Sequence, residues 1–141
     1  MDTLDGAVGG ELKQKMSLTF EGMNLPNMDV GSKTDAFCVL FQIDGNRKSK
    51  IGETEMIADT LNPRWIKNII VDFYFEITQN FRVEVYDADN IKKLKDLAKH
   101  DYIGGFDFVL SKVASSVNQE LTGNLTGGAP GNGKIKIHGT E

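Results

Sequence analysis

The sequence predicts an all-β fold, a sandwich or barrel, from three observations. Short runs rich in β-branched and aromatic residues recur along the chain; Gly, Pro, Asn and Asp separate them at fairly regular spacing; and several runs alternate apolar with polar side chains, the strand period of two. Eight runs qualify: Lys15 to Gly22, Ala36 to Ile43, Ile51 to Ile57, Trp65 to Phe75, Phe81 to Tyr86, Tyr102 to Leu110, Gln119 to Leu125 and Gly133 to His138. In a chain of 141 residues they amount to one domain with one core, since two ordinary cores would not fit.

Residues 1 to 12, rich in Asp, Gly and small side chains, offer little to bury and are expected to form a flexible lead-in to a domain spanning 13 to 141. The second run ends at Asp44-Gly45-Asn46, a tight-turn signal that sends the chain back into the third. Asn62-Pro63 keeps the residue before proline out of the helical region and marks the connection to the fourth. In the fifth, Phe81, Val83 and Val85 share one face and Arg82, Glu84 and Tyr86 the other, so one face is expected to be wet. Ser111 to Val117 is compatible with a turn of helix, and Thr122 to Gly133, with five glycines, is expected to be a loose loop. Ile135 and Ile137, interleaved with Lys134, Lys136 and His138, close the series.

Composition removes several function classes. Cys38, the single cysteine, excludes an internal disulfide framework and zinc sites built on paired thiolates; among Ala36, Phe37, Val39 and Leu40 it reads as a small core residue. Sixteen Lys and Arg against 20 Asp and Glu leave a net charge of -4, which argues against nucleic acid as a partner, because neutralising phosphates needs a basic excess. No apolar run approaches the roughly 20 residues of a membrane-spanning helix, and the first fifteen residues lack the apolar stretch of a secretory signal. The expectation is a soluble, cytoplasmic chain. No nucleophile motif or phosphate cradle accompanies His100 and His138, so both are expected in ordinary surface roles, the chain is not expected to be an enzyme, and no catalytic residue is proposed. Trp65 and Phe73 are expected in the core.

Aspartate concentrates in two segments that should be loops. One is Leu25 to Asp35, carrying Asp29 and Asp35; the other opens with Asp87-Ala88-Asp89 directly after a strand and closes at Asp101, before Tyr102-Ile103-Gly104-Gly105. If the two loops sit side by side, Asp29, Asp35, Asp87, Asp89 and Asp101 share one pocket. Carboxylates about 5 Å apart repel by roughly 3 kcal/mol per pair at an effective dielectric near 20, so such a pocket calls for a cation. All-oxygen ligands in irregular loops suit calcium, with its flexible and high coordination number, better than zinc or magnesium. An EF-hand loop counted from Asp87 fails, because Lys92 and Ala98 stand where Gly and Glu are required.

These residues fall into a recognisable series: Leu25-Pro26-x-x-Asp29, Lys33-Thr34-Asp35-Ala36-Phe37, Thr60-Leu61-Asn62-Pro63-Arg64-Trp65, Val85-Tyr86-Asp87-Ala88-Asp89 and His100-Asp101-Tyr102-Ile103-Gly104. The series resembles the C2 domain and spans about residues 15 to 140; the stretches Val71 to Glu76 and Asn80 to Asp87 look most like the first C2 module of the copines. The resemblance implies an eight-stranded antiparallel β-sandwich that binds phospholipid in a calcium-dependent way. With one strand before the first acidic loop and a closing strand at the carboxyl end, it implies the circularly permuted type II topology. It also implies calcium ligation by Asp29, Asp35, Asp87, Asp89 and Asp101. Two departures stand out: Ala36 replaces the proline common after the second Asp, and the third loop is longer than usual, with Asn90 to His100 inserted. Copines carry two C2 modules and a von Willebrand A-like domain, so a chain of this length is expected to be a fragment or a stand-alone relative.

The function this implies is a switch: bound calcium reverses the sign of the acidic loops and makes them attractive to phosphatidylserine-like anionic lipid. Such a module is peripheral to membranes, the plasma membrane first, and carries its parent protein there when calcium rises. Val30 and the stretch Ile91, Lys92, Lys93, Leu94, Lys95 and Leu97 are the expected membrane contacts; equally, Ile91, Leu94 and Leu97 can fold back to cap the sandwich. Arg47, Lys48 and Lys50 match the place where some C2 domains bind phosphoinositides, although basic residues in a tight turn are ordinarily just solvated. The alternative is a C2-fold module for protein partners, with calcium structural or absent.

Overall fold

The computed structural model describes residues 13–28, 31, 33–89, 94–131 and 133–141. Eight strands form two four-stranded antiparallel sheets: β1 (Lys13–Met23), β2 (Ala36–Asp44), β3 (Arg47–Glu53), β4 (Ile69–Tyr74), β5 (Asn80–Asp87), β6 (Asp101–Val109), β7 (Glu120–Asn124) and β8 (Lys134–Thr140). One sheet has the order β4-β1-β8-β7 and the other β3-β2-β5-β6. One strand precedes the first acidic loop and the last strand lies beside the first, as the permuted topology requires. Among the described residues no helix is long and apolar enough to cross a membrane. The expected lead-in, residues 1–12, lies outside the described residues.

Period-two alternation builds the core between the sheets. Met16, Leu18 and Phe20 of β1, Ile69, Val71 and Phe73 of β4 and Ile135 and Ile137 of β8 point inward from one sheet. Ala36, Cys38 and Leu40 of β2 and Phe81, Val83 and Val85 of β5 meet them from the other. Burying an aliphatic or aromatic side chain of this size contributes about 1.5–3 kcal/mol. Trp65 joins this core, its indole N–H donating to the Ala36 carbonyl at 3.1 Å. Cys38 is fully buried in it, which pushes its thiol pKa well up and leaves it unreactive.

Four expectations about the strands and their connections are corrected. The outer face of β5 is not wet: Glu84 and Tyr86 are buried there, beside a second apolar cluster of Phe37, Val39, Phe41, Tyr86 and Ala88, with Leu94, Leu97 and Tyr102 packed against it. The third strand runs from Arg47 to Glu53 rather than from Ile51 to Ile57, because the two-residue turn Gly45-Asn46 starts the pairing at once. The fourth begins at Ile69 rather than Trp65, because the Ile66 and Lys67 amides donate to the Glu55 carboxylate at 2.7 and 3.1 Å instead of to a neighbouring strand.

A short helix, α1 (Leu110–Ser115), follows β6. The glycine-rich segment after it is anything but loose: Gly105 and Thr126 exchange two backbone hydrogen bonds, and the Ala129 amide donates to the Ile103 carbonyl at 3.0 Å.

Candidate metal centre at the loop rim

Three loops meet at one end of the sandwich: the first from 24 to 35, the second from 54 to 68 and the third from 88 to 100. The strand ladder does the first part of the positioning. Asp87 ends β5, Asp101 begins β6, and the two are cross-strand partners, so the inserted residues of the third loop leave Asp101 opposite Asp87. Asp89 follows two residues beyond Asp87. One carboxylate oxygen from each of Asp87, Asp89 and Asp101 lies within 4.8 Å of the others, Asp87 buried and the other two exposed.

Asp35 joins this group through its backbone. Its amide donates to Asp87 Oδ1 at 2.9 Å, and its carbonyl accepts from Ala88 at 2.8 Å. Its own Oδ1 accepts the Asp59 amide at 2.7 Å, and Asp59 Oδ1 in turn accepts the Lys33 amide at 2.8 Å. The first loop is also closed on itself by the fully buried Thr34, whose hydroxyl donates to the Pro26 carbonyl at 2.7 Å and accepts from the Met28 amide at 3.1 Å. Asn62 ties the second loop to the start of the first, accepting the Asn24 amide at 2.9 Å.

Among the described residues the compact group therefore holds three of the four predicted carboxylates, with Asp35 hydrogen-bonded to it and not within it. Asp29 lies outside the described residues, as do Val30, Ile91, Lys92 and Lys93. Asp59 escaped the sequence reading: it looks like any turn aspartate, and its left-handed φ of 57°, which Asn, Asp and Gly tolerate best, is not visible in composition.

His100 is corrected as well. Expected on the surface, it is buried, packs edge-on against Phe37 with centroids 5.3 Å apart, and through Nδ1 accepts the Asp89 amide at 3.0 Å, clamping the two ends of the third loop. Leu94 and Leu97 rest half-buried on the outer apolar cluster, and Lys95 is exposed. Strand alternation separates the basic triad: Lys48 and Lys50 stand opposite Ile43 and Phe41 on the outer face, whereas Arg47 stands opposite Asp44 on the other side. Lys48 pairs with Glu84 at 3.1 Å, and Lys50 pairs with Glu53.

The donor set is chemically uniform. Three carboxylates within 4.8 Å repel by about 3 kcal/mol per pair at an effective dielectric near 20, and among the described residues no thiolate or histidine belongs to the group. Oxygen donors at the ends of two strands and in an irregular loop fit a hard cation of high coordination number, calcium, and do not fit zinc.

A family model described as C2 domain matches residues 18–125. The chain belongs to the C2 domain family. It is 33% identical to copine-B of Dictyostelium discoideum over 132 residues, which cover 92% of this chain and 25% of that protein. The C2 domain spans a fifth to a quarter of the length of the curated relatives it matches. Among solved structures it is similar to a C2 domain of plant extended synaptotagmin 1, with a TM-score of 0.64, 15% identity and coverage of 89% of this chain and 92% of that one. A two-domain structure of extended-synaptotagmin 2, solved calcium bound, has a TM-score of 0.62 and 20% identity and covers 88% of this chain and 44% of that one. At these identities the solved structures speak for the fold.

Proposed function

We propose that this C2 domain binds calcium at the loop rim and thereby docks on anionic phospholipid, carrying the protein it belongs to onto the membrane when calcium rises. The single observation that carries this reading is the set of three carboxylates at the ends of β5 and β6, held together against their repulsion. Asp87, Asp89 and Asp101 supply the compact set; Asp35 and Asp29 complete it from the first loop. Two or three calcium ions add about +4 to +6 against five carboxylates, so the rim passes from repelling toward attracting an anionic leaflet, and phosphatidylserine oxygens fill coordination positions the protein leaves open. Lys95, with Lys92 and Lys93, adds roughly 1 kcal/mol per cation near such a surface, while Leu94 and Leu97 hold the loop from beneath. The exposed rim and the C2 family assignment both support a binding module and not a catalyst.

Co-sedimentation with phosphatidylserine vesicles tests this. Binding is expected in calcium and lost in chelator, and Asp87→Asn with Asp89→Asn is expected to abolish it. Binding that ignores both chelator and the double substitution overturns the reading. A calorimetric calcium titration without heat, together with a stable protein complex, would instead favour a protein-docking module.

A further inference from the structure

A nearly buried carboxylate with no part in the rim lies further down β5, on the outer face of the β3-β2-β5-β6 sheet. Glu84 is 5% exposed. Its Oε1 accepts the Tyr86 hydroxyl at 2.8 Å, and its Oε2 accepts both Arg82 Nε at 2.8 Å and Lys48 Nζ at 3.1 Å. Arg82 reaches onward to Asp107 Oδ2 at 3.1 Å and the Tyr102 hydroxyl at 2.7 Å. Its guanidinium lies over Gly105, where a Cβ would overlap Arg82 Nη2, so the strand is bare where the guanidinium sits. Lys48 is held from the other side, its ammonium 4.5 Å from the Phe41 ring centroid.

A guanidinium, an ammonium and a phenol converging on one carboxylate form a cradle of the donor types that recognise phosphate oxygens. The cradle is already occupied, and the charges balance: Arg82 and Lys48 against Glu84 and Asp107. An incoming phosphate would have to displace a tethered anion that loses no translational freedom by staying.

We propose that Glu84 is a built-in counter-anion that fills this cradle and closes the outer sheet face to phosphorylated headgroups, so that lipid is taken at the rim alone and selected by charge. The part of this concerning the rim rests on the function proposed above; the part concerning Glu84 does not, and is read without calcium.

The test uses phosphatidylcholine vesicles with and without phosphatidylinositol bisphosphate, in chelator. The wild-type chain is expected to bind both equally poorly. Glu84→Gln and the solvent-exposed Asp107→Asn are each expected to raise binding to the phosphoinositide vesicles roughly fivefold, and the pair about 25-fold, at about one charge each. Soluble inositol trisphosphate is expected to compete that gain away, which separates occupation of the cradle from loose attraction to a charged surface. Chelator-resistant phosphoinositide binding by the wild-type chain, lost in Lys48→Ala, overturns the proposal. So does a folded Glu84→Gln/Asp107→Asn variant that gains nothing, or a gain that inositol trisphosphate leaves intact. Phosphatidylserine binding in calcium is measured separately, so failure there counts against the rim and not against Glu84.

Discussion

Replacing Asp59 by alanine removes the acceptor for the Lys33 amide and puts a side chain that dislikes φ of 57° at the junction of two loops. Asparagine keeps both the acceptor oxygen and the tolerance of that conformation. With one hydrogen bond worth about 0.5–1.5 kcal/mol net, Asp59→Ala should weaken calcium binding roughly three- to tenfold in a calorimetric titration, while Asp59→Asn stays near wild type. Equal losses in both would mean that the Asp59 charge itself is used. Asp59 also marks what residue-level reading misses. Asp87, Asp89 and Asp101 were legible because two of them bracket predicted strands. Asp59 and His100 matter through partners 26 and 11 positions away, and nothing local announces such partners.

At the scale of elements, the strands that were legible are those with one face in the main core. In β1, β4 and β8, alternation reports burial directly. β3 was misplaced because an edge strand that is mostly exposed has no reason to alternate. The buried outer face of β5 does not show in its own alternation because its cover, Leu94, Leu97 and Tyr102, comes from the loop and strand that follow it.

The glycine-rich segment looked loose for a similar reason: two of its glycines, Gly123 and Gly128, mark close approach to β6. A Cβ on Gly123 would overlap the Phe106 ring, and one on Gly128 would overlap the Ile103 carbonyl. Gly128→Ala meets backbone that cannot swing away, so it should lower stability by about 1–3 kcal/mol in urea unfolding, with an unchanged slope.

For the whole molecule, acid is expected to weaken the fold in part through Glu84. Burial pushes its pKa up, but the bonds from Arg82, Tyr86 and Lys48 outweigh burial and hold it below the ordinary glutamate value. A depressed folded-state pKa gives stability that is fully present above about 4.3, the ordinary unfolded value, and is lost as pH falls through the lower folded one. Urea midpoints of wild type and Glu84→Gln should therefore differ most at neutral pH and converge in acid. On the proposed function calcium acts in the opposite direction: at a hundred times its dissociation constant a single site is expected to add about 2.7 kcal/mol, read as a rise of several degrees in Tm that Asp87→Asn with Asp89→Asn should remove.

The bonds from Asp35 to Asp59, Asp87 and Ala88 also bear on speed. They join protein groups alone and do not pass through an ion. On the function proposed above, the slow step of capture should then be stripping water from calcium, not rearranging backbone, and residence on the bilayer after a transient would follow the ion's escape.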